Sequence, residues 1–584
     1  MLQLLLGGSG SGKTTLLYQR IRTRAEKGEK SILLVPEQFT SSTEGRIYRE
    51  LGDALSGMVE SFSFTSLAEK ILSTEGGAAV QTLSDAGRAV LVRRALEELQ
   101  DNVHYYHRHR RSAAFCQMAA QTIDELKSAG LSGRQLAQLA GACGAESGKL
   151  SELALIFQGY ETLLARSGMD PSDRLELAGA RLEEALARHS LPEFLRDRAV
   201  FIDEFDTFNA PKKRLLGAML AALPSVTVAL CDDGTPLVPG DMSLFSGAKQ
   251  VAAQLRQLAR KNGAEVAVPQ LLRKDLRHRN APGLAAVAEL LETGSCTADA
   301  PAGEVRLFAA PSREEEARAA AGAIRRLMRQ GVRCGKIAVV CRDIAKYRAA
   351  VRYEFRKAGD PLYCDEPTTP EFSAPATAVR ALLEIARGAD LTENLTTLAK
   401  TGLCALSEEQ VCALENYAYT WAPTAAAWRE KFERSPKGFG EQELTEEDLR
   451  NQERAEHARA LLVGAVDAFR AKVREVNAEA ISRAVYFCLK TLGAEEQQAA
   501  QVKAIRAGRG IPAAEEAARE WNMVMGLLNE MAHLLGEQTV TVAEYEDLFG
   551  LLLRSSDLGH IPQTLDAVVL ASAGKMRLDA PEKE

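Results

Sequence analysis

The chain has 584 residues, 46% of them hydrophobic and 26% charged, with a formal net charge of −7. These figures exclude a single small core, a low-complexity chain and global attraction to nucleic acid, so any polyanion must be met by local basic surface. No run approaches the roughly 18 apolar residues of a membrane span, and residues 2–6 are too short and lack the basic flank of a signal peptide, so the chain reads as cytoplasmic with no membrane partner.

In chain order, the apolar run 2–6 reads as a strand. It is followed by Gly7-Gly8-Ser9-Gly10-Ser11-Gly12-Lys13-Thr14-Thr15 and then by a helical pattern carrying Leu16, Leu17, Ile21 and Ala25. Residues 31–35 read as a buried parallel strand halted by Pro36, and residues 58–64 as a third strand. From about 83 to 191 the periodicity is helical, which predicts an insertion into an α/β domain. Strand signals return at 199–202, before Asp203-Glu204, and again at 226–230, before Cys231-Asp232-Asp233, with a helix over 211–223 between them. The Ala-, Gly- and Pro-rich segment 280–303 reads as a boundary. Beyond it a second α/β run is predicted: strand 305–308, helix 313–330, strand 336–341, helix 344–357 and strand 361–364. A second helical stretch spans 374–553, and one more strand lies at 567–570. The fold class is α/β, with two P-loop-type parallel-sheet domains, each interrupted by helices. The expected boundaries are 1–84, 85–192, 193–285, 303–375, 376–555 and 556–584.

The glycine-rich turn carries the chemistry. Its backbone N–H groups are expected to cradle phosphate, Lys13 to reach the β and γ oxygens, and the Thr14 hydroxyl to ligate Mg²⁺, so the chain is expected to bind ATP through residues 7–15. Asp203, at the carboxyl end of its strand, suits Mg²⁺, and Glu204 suits orientation of an attacking water. Arg342, after the strand 336–341, stands where an arginine could stabilise charge on a transferring phosphate. Gln38, Phe39 and Thr40 after the second strand, and Phe62 and Phe64 at the third, combine aromatic rings with short polar groups, a set able to stack bases and bond phosphates of a single strand. Basic segments at 104–111, at 273–279 and along the helix carrying Arg342, Lys346, Arg352 and Arg356 are candidate phosphate contacts. Ten cysteines are scattered without a Cys-x-x-Cys pair, which argues against a metal or cluster site built wholly within this chain.

Taken together, GGSGSGKTT, LLVPEQFT (33–40), SFSFTSLA (61–68), TIDELKSAG (122–130), FIDEFDTF (201–208), KTGL (400–403), LENYAYT (414–420) and GHIPQTLDAV (559–568) resemble the AddB family. These are the B subunits of AddAB-type, RexAB-like helicase/deoxyribonucleases with a UvrD/RecB-like superfamily 1 fold. The resemblance covers essentially the whole chain. It implies RecA-like domains 1A and 2A with helical insertions 1B and 2B, ATP and Mg²⁺ in the cleft, and DNA running past Gln38, Phe39, Thr40 and Phe64. It further implies an AddA partner at single- and double-stranded DNA ends, break resection, and recognition of the Chi hotspot for recombination. Family members end in a nuclease domain with a 4Fe-4S cluster held by four cysteines, and the resemblance implies that this chain stops before it. Two departures accompany the likeness. Ser66 and Glu69 stand where basic or aromatic residues are expected, and the Cys231-Asp232-Asp233-Gly234 segment lacks the Gly-Asp-x-x-Gln that couples ATP to strand movement. Two functional readings follow: an ATP-hydrolysing subunit, or an ATP-bound scaffold that grips DNA without turnover, with Glu204 as the discriminating residue.

Overall fold

The structure is a computed structural model and describes residues 1–77, 82–110, 112–144, 147–296, 305–364, 370–389, 391–439, 443–473, 477–536, 539–556 and 566–574. Six strands, β1 (Leu2–Gly7), β2 (Ser31–Leu34), β3 (Val59–Phe62), β4 (Ala199–Ile202), β5 (Ser225–Cys231) and β6 (Gln270–Leu272), form one sheet in the order β3-β2-β4-β5-β1-β6. Every pairing is parallel. Parallel strands need crossovers on both faces, so their side chains must be apolar on both sides. The alternation along β1 shows this. Leu4 and Leu6 pack with helices Phe64–Glu75, Pro171–Ala187, Ala210–Ala222 and Ser246–Lys261, while Leu5 packs on the other face with Leu17, Tyr18 and Ile21 of helix Lys13–Glu26.

The strand order decides where a ligand goes. From β1 the chain crosses toward β2 on one side, whereas from β5 it crosses toward β6 on the other, so the carboxyl ends of neighbouring β1 and β5 open into a crevice. Gly7 and Cys231 face each other at its floor.

A second, three-stranded parallel sheet has the order β7-β9-β8, from β7 (Ala338–Cys341), β8 (Leu362–Cys364) and β9 (Val568–Ser572). Helices Arg313–Arg329 and Ile344–Ala358 supply Ala321, Ile324, Val351 and Phe355 to its core.

Five features differ from the sequence expectation. Residues 305–308 form no strand, and Leu307 is fully exposed. The segment 280–303, read as a boundary, contains helix Pro282–Thr293, whose Ala and Leu content favours helix once Pro282 sets the first turn. Strand β6 was hidden within the stretch read only for its basic residues. The two helical stretches also share one apolar cluster, joining Val90, Phe157 and Tyr160 to Leu382, Val485, Met531 and Leu552. Polar contacts reinforce the junction: Ser84 Oγ donates to Glu530 at 2.7 Å, and Arg94 donates to the Leu534 carbonyl at 2.6 Å. Helix Pro171–Ala187 packs instead on the first sheet, through Leu175, Ala178 and Leu182.

Candidate nucleotide site at the carboxyl edge of the first sheet

The turn after β1 is bent by two left-handed glycines, Gly10 at φ 78° and Gly12 at φ 89°, the latter capping helix Lys13–Glu26. A side chain at Gly7 has no room, since a Cβ there would stand 2.6 Å from the Leu272 carbonyl of β6. Lys13 Nζ donates to the Gly7 and Gly8 carbonyls, each at 2.8 Å, and so holds the turn open from within. Ser11 Oγ is buried without a hydrogen-bond partner among the described residues, an orphan donor facing the same turn. Thr15 lies on the exposed side of the helix.

Asp203, at the end of β4, is buried and hydrogen-bonded by the Thr14 hydroxyl and by the Glu204 N–H at 3.0 Å. Burial pushes its carboxyl above the ordinary range, although Thr14, Lys13 and Arg46 pull the other way. Lys13 is lowered by its own burial against the opposing pull of Cys231 and Asp203. Glu204 has φ 67°, a left-handed backbone that costs a non-glycine residue of order 1–3 kcal/mol. A third carboxylate, Asp232, is buried beside the turn, its N–H donating to the Gly7 carbonyl at 3.2 Å. Thr14 and Asp203 supply the hydroxyl and carboxylate oxygens that a hard cation such as Mg²⁺ takes, and the orphan Ser11 hydroxyl, the Lys13 ammonium and the N-terminus of helix Lys13–Glu26 are groups of the kind that suit phosphate.

The arginine that reaches this turn is not Arg342. Arg342 is exposed directly after β7, in the second sheet. Instead Arg277 Nη1 donates to Ser9 Oγ at 3.3 Å, and the Leu276 N–H donates to the Gly10 carbonyl at 2.9 Å. The basic segment 273–279, a candidate phosphate contact, therefore lies over the glycine-rich turn at Leu276 and Arg277. The available signal was the short apolar run of β6, which places the following residues beside β1.

On the DNA-side segment, the Gln38 side chain lies outside the described residues. Phe39 is half-buried, and Thr40 Oγ1 donates to the Glu37 carbonyl at 2.9 Å. Phe62 packs against Phe194 with ring centroids 6.5 Å apart. Phe64 is fully buried, edge-on to Phe205 at 5.1 Å and Phe208 at 6.0 Å, so it is a core residue and cannot stack on a base. The two departures at SFSFTSLA have local reasons: Ser66 completes a capping box with Ser63, and Glu69 pairs with Arg174. Arg46 was missed. It stands on helix Thr40–Leu51, directly after the DNA-side segment, with its guanidinium 5.1 Å from the Tyr18 ring and its charge acting on Asp203. One side chain thus links the helix that follows residues 38–40 to Asp203.

This geometry agrees with the comparisons to known proteins. Residues 4–288, which hold all of the first sheet except the first two residues of β1, match the family model described as ADDB, N-terminal. The chain is thus similar to AddB proteins over that segment. It is 29% identical over 99% of its length to the B subunit of the ATP-dependent helicase/deoxyribonuclease of Desulforudis audaxviator and covers 51% of that protein. The corresponding B subunits of Moorella thermoacetica, at 29% identity and 51% of their length, and Heliobacterium modesticaldum, at 30% and 48%, are similar over the same share of this chain. The chain thus spans about half the length of the AddB relatives it matches. Among the described residues no helix is long and apolar enough to cross a membrane.

Proposed function

We propose that this chain is the nucleotide- and single-strand-binding part of an AddB protein. In this reading it works with an AddA partner at DNA ends, in a complex that resects breaks and responds to Chi during recombination. The first sheet serves as domain 1A and the second as 2A, with 85–192 and 376–555 as the helical domains 1B and 2B. The observation that carries the reading is the meeting of Ser11, Lys13, Thr14 and Asp203, from residues nearly 200 apart in sequence, at one sheet edge. Lys13 and the turn amides bind phosphate, and Thr14 and Asp203 hold Mg²⁺, which neutralises charge on the phosphates. Glu204, held in its strained conformation, orients water, and Arg277 closes the site in the role first given to Arg342. Phe39 and Thr40 meet the DNA strand, and Arg46 couples that contact to Asp203.

A scaffold reading, in which nucleotide binds without turnover, draws support from the segment after β5, which lacks the coupling glutamine and whose Asp232 carboxylate accepts from the Gly234 N–H at 2.7 Å. Steady-state ATP hydrolysis with and without single-stranded DNA, beside Glu204→Gln and a nucleotide-binding titration, separates the two. DNA-stimulated turnover abolished by Glu204→Gln establishes the ATPase. Tight binding without turnover in either protein establishes the scaffold.

A further inference from the structure

Helix Pro282–Thr293 ends at the phosphate turn. A Cβ at Gly8 would stand 2.8 Å from Glu292 Oε1, so this carboxylate lies directly against the turn's backbone, and its charge acts on Lys13. Gly294, at φ 76°, caps the helix, so the carbonyl end of the helix, with its partial negative charge, arrives at the same place. The turn itself opens helix Lys13–Glu26, whose N-terminus is partially positive. A carboxylate and a helix C-terminus therefore lie close to the N-terminal end that nucleotide phosphates require.

The element carrying this charge is weakly held. Gly283 is its one buried residue, while Leu284, Val287, Leu290 and Leu291 are all exposed, which is the profile of an element that opens at low cost. We infer that Glu292 and its helix compete with nucleotide phosphate for the P-loop, so that Glu292 sets nucleotide affinity and nucleotide binding displaces the helix. This rests on the P-loop reading above and adds to it an internal competitor. The displaced helix is also the last element of the first sheet's domain before the chain passes to the second, so its movement would carry the state of the nucleotide site toward that second domain.

The test is a titration of Mg–ATPγS into the wild-type chain, Glu292→Gln and Lys13→Ala, with hydrogen exchange followed over residues 282–293. Glu292→Gln keeps the side chain's size and removes the charge that opposes phosphate, so affinity should rise by about three- to tenfold. In the wild type, exchange over 282–293 should quicken on binding. Unchanged or weaker binding by Glu292→Gln, beside a wild type that binds and a Lys13→Ala that does not, overturns the inference and leaves the P-loop reading intact. Slower or unchanged exchange with bound nucleotide overturns the displacement. Binding by Glu292→Gln where the wild type shows none supports the inference. Binding insensitive to Lys13→Ala, or absent from both the wild type and Glu292→Gln, removes the P-loop reading and the inference with it.

Discussion

Strand β4 lies inside a six-stranded sheet with all four residues buried, whereas β7 lies at the edge of a three-stranded sheet, where Val340 is 47% exposed. Their sequences are alike, Ala-Val-Phe-Ile against Ala-Val-Val-Cys. The difference comes from what covers them: β4 has helices on both faces and a strand on either side, and β7 is paired only with β9. A functional carboxylate needs the first setting, because a strand held on every side delivers its last residue to a fixed point. Asp203 inherits that rigidity, and Arg342, which follows β7, does not.

The largest expected effect is on packing. Phe64→Ala should cost about 3–5 kcal/mol of stability by leaving a cavity between Phe205 and Phe208, measured by calorimetric unfolding. Phe39→Ala should leave stability nearly unchanged and weaken single-strand binding by about 1–3 kcal/mol, read by fluorescence titration. An unaltered titration would place Phe39 with Phe64 as packing. Lys13→Ala should lower nucleotide affinity by about 1.5–3 kcal/mol in isothermal titration, the loss of a charge-assisted contact. The strand comparison is tested directly by a pair: Val200→Ala in β4 should destabilise by about 1.5–3 kcal/mol, and Val340→Ala in β7 by less than about 0.5 kcal/mol. Equal losses would show that β7 is as fully covered as β4.

The last prediction concerns pH. Burial raises the Asp203 pKa, so between the ordinary carboxylate range and that raised value the folded chain holds more protons than the unfolded one, and stability falls as pH rises. Asp203→Asn should therefore stabilise the nucleotide-free chain at pH 8, a gain that fades as the pH approaches the ordinary carboxylate range. The same variant should lose Mg²⁺-dependent nucleotide binding. A constant difference across pH 4 to 8 would show that desolvation of Asp203 is not the cause.

Local chemistry was legible in the sequence wherever function depends on contiguous residues. The phosphate turn needs glycines at 10 and 12 for its left-handed backbone and a lysine immediately after them, and no distant residue changes that requirement. Strands β1, β2, β4 and β5 were equally plain, because a parallel strand covered on both faces reads as a near-continuous apolar run. Tertiary structure alone decided the rest. That Arg277 and not Arg342 meets the turn depends on β6 pairing with β1, across more than 260 residues. That Phe64 is core depends on Phe205 and Phe208 arriving from beyond β4, and that the two helical stretches form one body depends on Ser84 and Arg94 meeting Glu530 and Leu534. An aromatic or a cation reads the same in sequence whether it faces solvent, ligand or core. Its role is set by which side chains the fold brings against it, and those contacts are long-range.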